Sequence, residues 1–227
     1  MVTLGHKDGS IEKVSLSRIT QIVKGYKTHT VIGGEFAVVK DDEDIAFKTL
    51  LGSCVAIMFY DKNLNIKGMN HFLLPATSNS NEDMKYGLYS VEAMLNEMYK
   101  LGCRKENMAV KISGGGDIVN VNLTGKSIGH RNVEFAMDFC SSEGFRIISN
   151  HTRGTEGRVI LLANKFETFI KSVSSSNTTT SVIAEEKKLQ KEISTRKPAI
   201  SEYVSGTGIF EIDDKNKASQ EMELTLF

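Results

Sequence analysis

Phe47–His71 reads FKTLLGSCVAIMFYDKNLNIKGMNH. A cysteine, Cys54, follows a glycine and a serine at the mouth of an apolar run. Val55–Tyr60 is continuous, apolar and of strand length, which suits a strand buried on both faces. Asp61–Asn65 is turn-like, Ile66–Leu74 reads as the returning strand, and Pro75 closes it. Folding this hairpin about Asn63 brings position 54 opposite position 71 or 72, within cross-strand reach. Both registers remain open at this point, and a one-residue slip puts the two side chains on opposite faces.

If Cys54 and His71 meet, their chemistry is defined. Thiolate is the reactive form of cysteine, and a neighbouring imidazole takes and returns its proton. Gly52 and Ser53 permit a tight turn whose backbone N–H groups face a developing oxyanion. The Thr49 hydroxyl is placed to orient the imidazole as the third member of a triad. The plainer alternative makes Cys54 a small buried hydrophobe and His71 a satisfied strand residue.

The 227 residues suit one domain with appendages, and the 40% hydrophobic content suffices for a sizeable core. Lys+Arg and Asp+Glu both number 28, which gives no bulk attraction to nucleic acid or membrane surfaces. No apolar run approaches the roughly 18 residues of a membrane span, and the N-terminus lacks a signal-peptide core. The reading is a cytoplasmic protein without membrane insertion. Three widely spaced cysteines point to reduced thiols, without CxxC metal spacing. No cofactor or metal is expected.

Residues 1–30 read as a peripheral N-terminal extension, with a strand or short helix in Ile11–Tyr26 and with His6 and His29 in solvated loops. Val31–Val39 reads as a strand bent at its glycines, Asp41–Asp44 as a solvated turn, and Ala76–Asp83 as a polar loop beside the site. Leu88, Val91, Leu95 and Met98 mark a helix over Met84–Leu101, stopped by Gly102. Ala109–Ser113 is a strand before Gly114–Gly116. This glycine run satisfies neither the Walker A spacing nor GxGxxG, so nucleotide binding is set aside. Val133, Ala136, Met137 and Cys140 mark a second helix, Ile128–Glu143. Strands follow at Phe145–Ser149, Arg158–Ala163 and Glu167–Ile170, separated by the loop Asn150–Gly157. From Ser172 the chain is low in complexity, with a weak charged helix over 182–194 and an otherwise disordered tail to Phe227. The terminal ELTLF is either a docking peptide or a frayed end.

Several blocks, taken in order, resemble the chemoreceptor glutamine deamidases of bacterial chemotaxis, the CheD family. They are IGGEFAVV, TLLGSCVA, MNHFLLP with His71, KISGGGD and IGHRNVEF, and they cover roughly Val31–Ile170. The resemblance implies an α/β fold: a mixed β-sheet sandwich with two main amphipathic helices, cysteine-hydrolase-like, plus a flexible C-terminal tail. It divides the chain into an extension (1–30), a deamidase domain (31–171) and a tail (172–227). It implies Cys54 as nucleophile, His71 as general base and acid, and Thr49 as the third group, although some members place the threonine where this chain has Lys48. Three residues depart from the pattern. His130 stands where glutamate is common, and His151 and Arg153 stand where an acid and a glycine are expected.

The resemblance further implies hydrolysis of receptor glutamines to glutamate through a Cys54 thioester, with methyl-accepting chemotaxis receptors as substrates in an open groove. It admits a response-regulator phosphatase as a partner. The alternative within the family is a non-catalytic adaptor that binds receptors and that phosphatase. A cysteine peptidase or transglutaminase would share the nucleophile.

Overall fold

The computed structural model describes residues 2–6, 9–14, 21–41, 44–74, 80–118 and 126–173, and in the C-terminal segment 183–184, 186–189 and 191–192. Two sheets stack face to face. The larger has seven strands in the order β10 (Arg146–Thr152), β9 (Met108–Gly114), β7 (Val55–Asp61), β8 (Ile66–Asn70), β5 (Phe36–Lys40), β1 (Val2–Gly5) and β2 (Ile11–Val14). The smaller has five, in the order β12 (Thr168–Val173), β11 (Gly157–Leu162), β6 (Ile45–Leu51), β4 (Tyr26–Thr30) and β3 (Ile22–Val23). Both sheets are mixed, because β10–β9 and β4–β6 run parallel while the other pairs are antiparallel. Helices α1 (Ser80–Lys100) and α2 (Ile128–Ser142) cover the outer face of the larger sheet.

The continuous apolar run of β7 explains this layering. Val55, Ile57 and Phe59 pack with α1 and α2 in one core. Cys54, Ala56 and Met58 point the other way, into a second core between the sheets. A strand covered on both faces needs no polar alternation, and the sequence has none. The predicted α/β sandwich with two amphipathic helices is therefore the observed architecture. Both helix stripes lie on the first core, and Phe135 and Phe139 widen that of α2 beyond the residues read from the sequence.

Several boundaries differ. The described strands of the first thirty residues are not peripheral: β1 pairs with β5 inside the larger sheet, Val2 and Leu4 are buried, and β4 pairs with β6 in the smaller one. Four-residue strands carry too little periodicity to stand out. His29 lies within β4 with its ring edge-on to Phe47, whereas His6 sits in the turn between β1 and β2 and bonds Glu12 at the surface. Residues 31–35 form a turn ahead of β5 rather than strand, and β8 ends at Asn70 with one further bridge at Phe72. Helix α1 begins at Ser80, so the last four residues of the expected polar loop are helical, while Pro75 and residues 76–79 lie outside the described residues. β10 runs on to Thr152 because it pairs with β9 as far as Gly114.

Asp41 is the clearest reversal. Read as part of a solvated acidic turn, it is buried and bonds Lys67, which is fully buried on β8. The Lys67 ammonium also donates to Ile45 O at 2.7 Å and to Asn164 Oδ1 at 3.0 Å. All three of its N–H donors are therefore placed. Burial lowers the Lys67 pKa, and the Asp41 carboxylate opposes that shift. This cluster ties β8 of the larger sheet to β6 and to the β11–β12 turn of the smaller one. Replacing only Lys67, as in Lys67→Met, strands the Asp41 charge and is expected to cost about 3 kcal/mol. Urea denaturation checks this, and the double variant Asp41→Asn/Lys67→Met should recover a large part of the loss.

Candidate active site

Chain pairing places the two predicted reactive groups. Val55 and Phe72 exchange backbone hydrogen bonds, Val55 N to Phe72 O at 3.0 Å and Phe72 N to Val55 O at 2.9 Å. The register continues that of Met58 with Met69. Cys54 therefore faces position 73, and His71 faces Ala56; neither sequence register, with 54 opposite 71 or 72, is the observed one. The two side chains nonetheless share a face. They are diagonal neighbours, whose Cβ atoms are typically about 7–8 Å apart and within reach of a long side chain. This register follows from the turn, in which four residues, Lys62–Asn65, separate the paired Asp61 and Ile66. The Asn70 amide takes the Ile57 N–H at 2.8 Å and reaches Ser90 Oγ on α1, which fills a gap in the ladder next to His71.

Thr49 lies on β6 of the opposite sheet and meets His71 across the core. Its hydroxyl donates to Val31 O at 2.8 Å, so it accepts from His71 Nδ1, also at 2.8 Å. That polarity fixes the neutral ring with its proton on Nδ1. Nε2 is left buried, with no hydrogen bond among the described residues, and its lone pair is available as a base. Burial lowers the His71 pKa to about 4, with the Val31 carbonyl opposing the shift weakly. Thr49 is thus the residue that bonds the His71 ring, while Lys48 beside it is partly exposed.

The turn at Gly52–Cys54 is held from behind. Gly52 O accepts from Gly116 N at 2.7 Å, Cys54 O from Gly115 N at 2.7 Å, and Ser53 O from Asn132 Nδ2 at 2.7 Å. Because Ser53 O is held by Asn132, the N–H of the same trans peptide, that of Cys54, points the opposite way. There it donates to Glu186 at 3.0 Å, and the Ser53 hydroxyl donates to the same carboxylate at 2.6 Å. The glycine run that failed as a phosphate loop has its use here. At Gly114, with φ +115°, an added Cβ would sit 2.2 Å from Cys54 O. Residues 119–125 lie outside the described residues.

Asn132 and Glu186 have no role in the sequence reading. Asn132 is fully buried on α2, and its Oδ1 also accepts the Leu74 N–H at 2.8 Å, so one side chain clamps both arms of the hairpin. Its signal was present only as the asparagine of IGHRNVEF. Glu186 gave no signal, since it stands 132 residues beyond Cys54 in a segment read as a charged tail. His130 bridges Glu134 at 3.0 Å and Arg153 at 2.7 Å, and Arg158 donates to His151 at 2.9 Å. Arg153 N binds Gly114 O, so this polar group borders the turn that supports Cys54. Cys103 and Cys140 are inert by comparison, as burial pushes both thiols up to about 12. Among the described residues no cluster of His, Cys, Asp or Glu is arranged to hold a metal.

A family model described as CheD chemotactic sensory transduction matches residues 73–172. A probable chemoreceptor glutamine deamidase CheD of Rhizobium meliloti is 41% identical over 138 residues, covering 59% of this chain and 73% of the relative. The chain belongs to the CheD family. A probable chemoreceptor glutamine deamidase CheD of Agrobacterium fabrum is 38% identical, covering 57% of this chain and 71% of the relative. The one from Cupriavidus pinatubonensis is 37% identical, covering 51% of this chain and 56% of the relative. The chain thus spans little more than half the length of this CheD relative. The CheD model's match begins just past His71, so it does not cover Thr49, Cys54 or His71.

Two outcomes follow. Imidazole ¹⁵N spectra should show His71 neutral and protonated on Nδ1 down to about pH 5, and charging only near pH 4. Because unfolding restores a value near 6.5, the chain's stability should fall as pH drops from that value toward 4. Separately, Asn132→Ala leaves the Ser53 carbonyl and the Leu74 N–H without their side-chain partner. It should cost about 2 kcal/mol in thermal or chemical unfolding.

Proposed function

We propose that this chain converts glutamine side chains of chemoreceptors to glutamate, with Cys54 as nucleophile and His71 as general base and acid. The observation that carries this reading is the Thr49–His71 hydrogen bond, which leaves the Nε2 lone pair on the face that Cys54 shares. His71 takes the Cys54 proton, and the sulfur attacks the carboxamide carbon. The Cys54 N–H, fixed by the bonded carbonyls of Gly52, Ser53 and Cys54, receives the oxyanion, and the Ser53 hydroxyl supplies a second donor. His71 then protonates the departing ammonia, leaving a thioester on Cys54. It next takes a proton from water, which releases glutamate and restores the thiol. Each turnover adds one negative charge to a receptor helix and so alters repulsion within packed receptor helices.

The names carried by the relatives support the substrate class, and the family supports a place beside receptor arrays. No helix among the described residues is long and apolar enough to cross a membrane. Binding a response-regulator phosphatase is a further part of the proposal.

The test incubates a receptor cytoplasmic fragment with wild type, Cys54→Ala and Thr49→Val, following ammonia and the amide-to-acid mass gain. Cys54→Ala should be inactive. Thr49→Val should lose on the order of a hundredfold in turnover, as expected when a general base is left wrongly oriented. Equal conversion by wild type and Cys54→Ala removes Cys54 from the mechanism. Binding to receptor and phosphatase without turnover in any variant assigns the chain to the adaptor role.

A further inference from the structure

We propose that the C-terminal segment around Glu186 is an internal occupant of the substrate cleft, with the Glu186 carboxylate holding the place of the product glutamate. The proposal rests on the deamidase reading of Cys54 for what is mimicked, and on geometry alone for the docking. A glutamate side chain is the product of glutamine deamidation, and here one lies on the two donors assigned to the reacting amide. Glu186 Oε1 accepts from Cys54 N–H and Oε2 from Ser53 Oγ. Glu186 is itself buried, 4% exposed, although it comes from a charged stretch of chain.

A second contact seats the same segment. Leu189 lies three residues on, on the same side of a helical turn. It is buried, and it packs so closely on Gly33 that a Cβ there would lie 2.3 Å from its Cδ2. Gly33 belongs to the turn that brackets His71: Gly34 N donates to His71 O at 2.8 Å, and His71 N to Glu35 O at 3.0 Å. One helical face therefore presents an acid to the nucleophile's loop and an apolar anchor to the base's loop. Cys54, at 1% exposure, is closed to solvent in this state. A receptor helix must displace the segment to be served, so the tail sets a threshold on activity.

Two full-length variants test this. Leu189→Asp should release the segment and raise the rate of Cys54 alkylation by iodoacetamide about tenfold, the factor expected if the open form is about one molecule in ten in the wild type. Cys103 and Cys140 should stay unreactive, which reports that the fold is intact. Glu186→Gln presents an amide where the acid lay. Cys54 should attack it, release ammonia, and pass through a thioester that water opens to glutamate at 186. Peptide mass mapping should find residue 186 converted, and left as glutamine when Cys54→Ala is added. Equal alkylation of Cys54 in wild type and Leu189→Asp overturns the docked segment. Faster alkylation in Leu189→Asp with glutamine retained at 186, and with no receptor turnover, upholds the docking and counts against the deamidase reading instead.

Discussion

The capture of three consecutive carbonyls, on Gly52, Ser53 and Cys54, is the constraint on which the site depends. Two are held by backbone N–H groups of the Gly114–Gly116 turn and the third by Asn132. A peptide whose carbonyl is fixed on one side must direct its N–H to the other. The arrangement converts a turn before a strand into an aimed donor, without metal or charged side chain. Buried backbone groups rarely go unpaired, so a donor pointed into a cleft marks where an acceptor is meant to arrive. In this structure the chain itself supplies that acceptor.

The two sheets divide the work. The larger carries Cys54 and His71 on the hairpin β7–β8, packed against α1 and α2 on its far side. The smaller carries Thr49, and so sets the tautomer of a histidine to which it is not covalently close. The Asp41–Lys67 cluster and the mixed core around Met58, Met69 and Phe47 keep the sheets in one spacing. The site is therefore a property of the sandwich rather than of the LGSC stretch alone.

Much of this was legible in the chain. The unbroken apolar run of β7 announced a strand covered on both faces, and the two helix stripes announced their covers. Cys54, His71 and Thr49 stand out in the sequence by residue type and spacing alone. The register was not legible, because the turn residues Lys62–Asn65 allow more than one closure, and the pairing of Asp61 with Ile66 selects one. Asp41 looked solvated because its partner is 26 residues away. Strands β1 to β4 are short and take their stability from neighbours, so local pattern could not reveal them. Glu186 was the furthest out of reach, since a charged stretch reads as solvated until something across the fold gives its carboxylate two donors.

Hydroxylamine trapping tests the central claim most directly. A receptor fragment is turned over by the wild-type chain with hydroxylamine present, and the modified glutamine positions are read by mass spectrometry. A thioester on Cys54 predicts hydroxamate at those positions in competition with glutamate, and none with Cys54→Ala. Glutamate formed at the full rate with no hydroxamate, at any hydroxylamine concentration, would contradict the account.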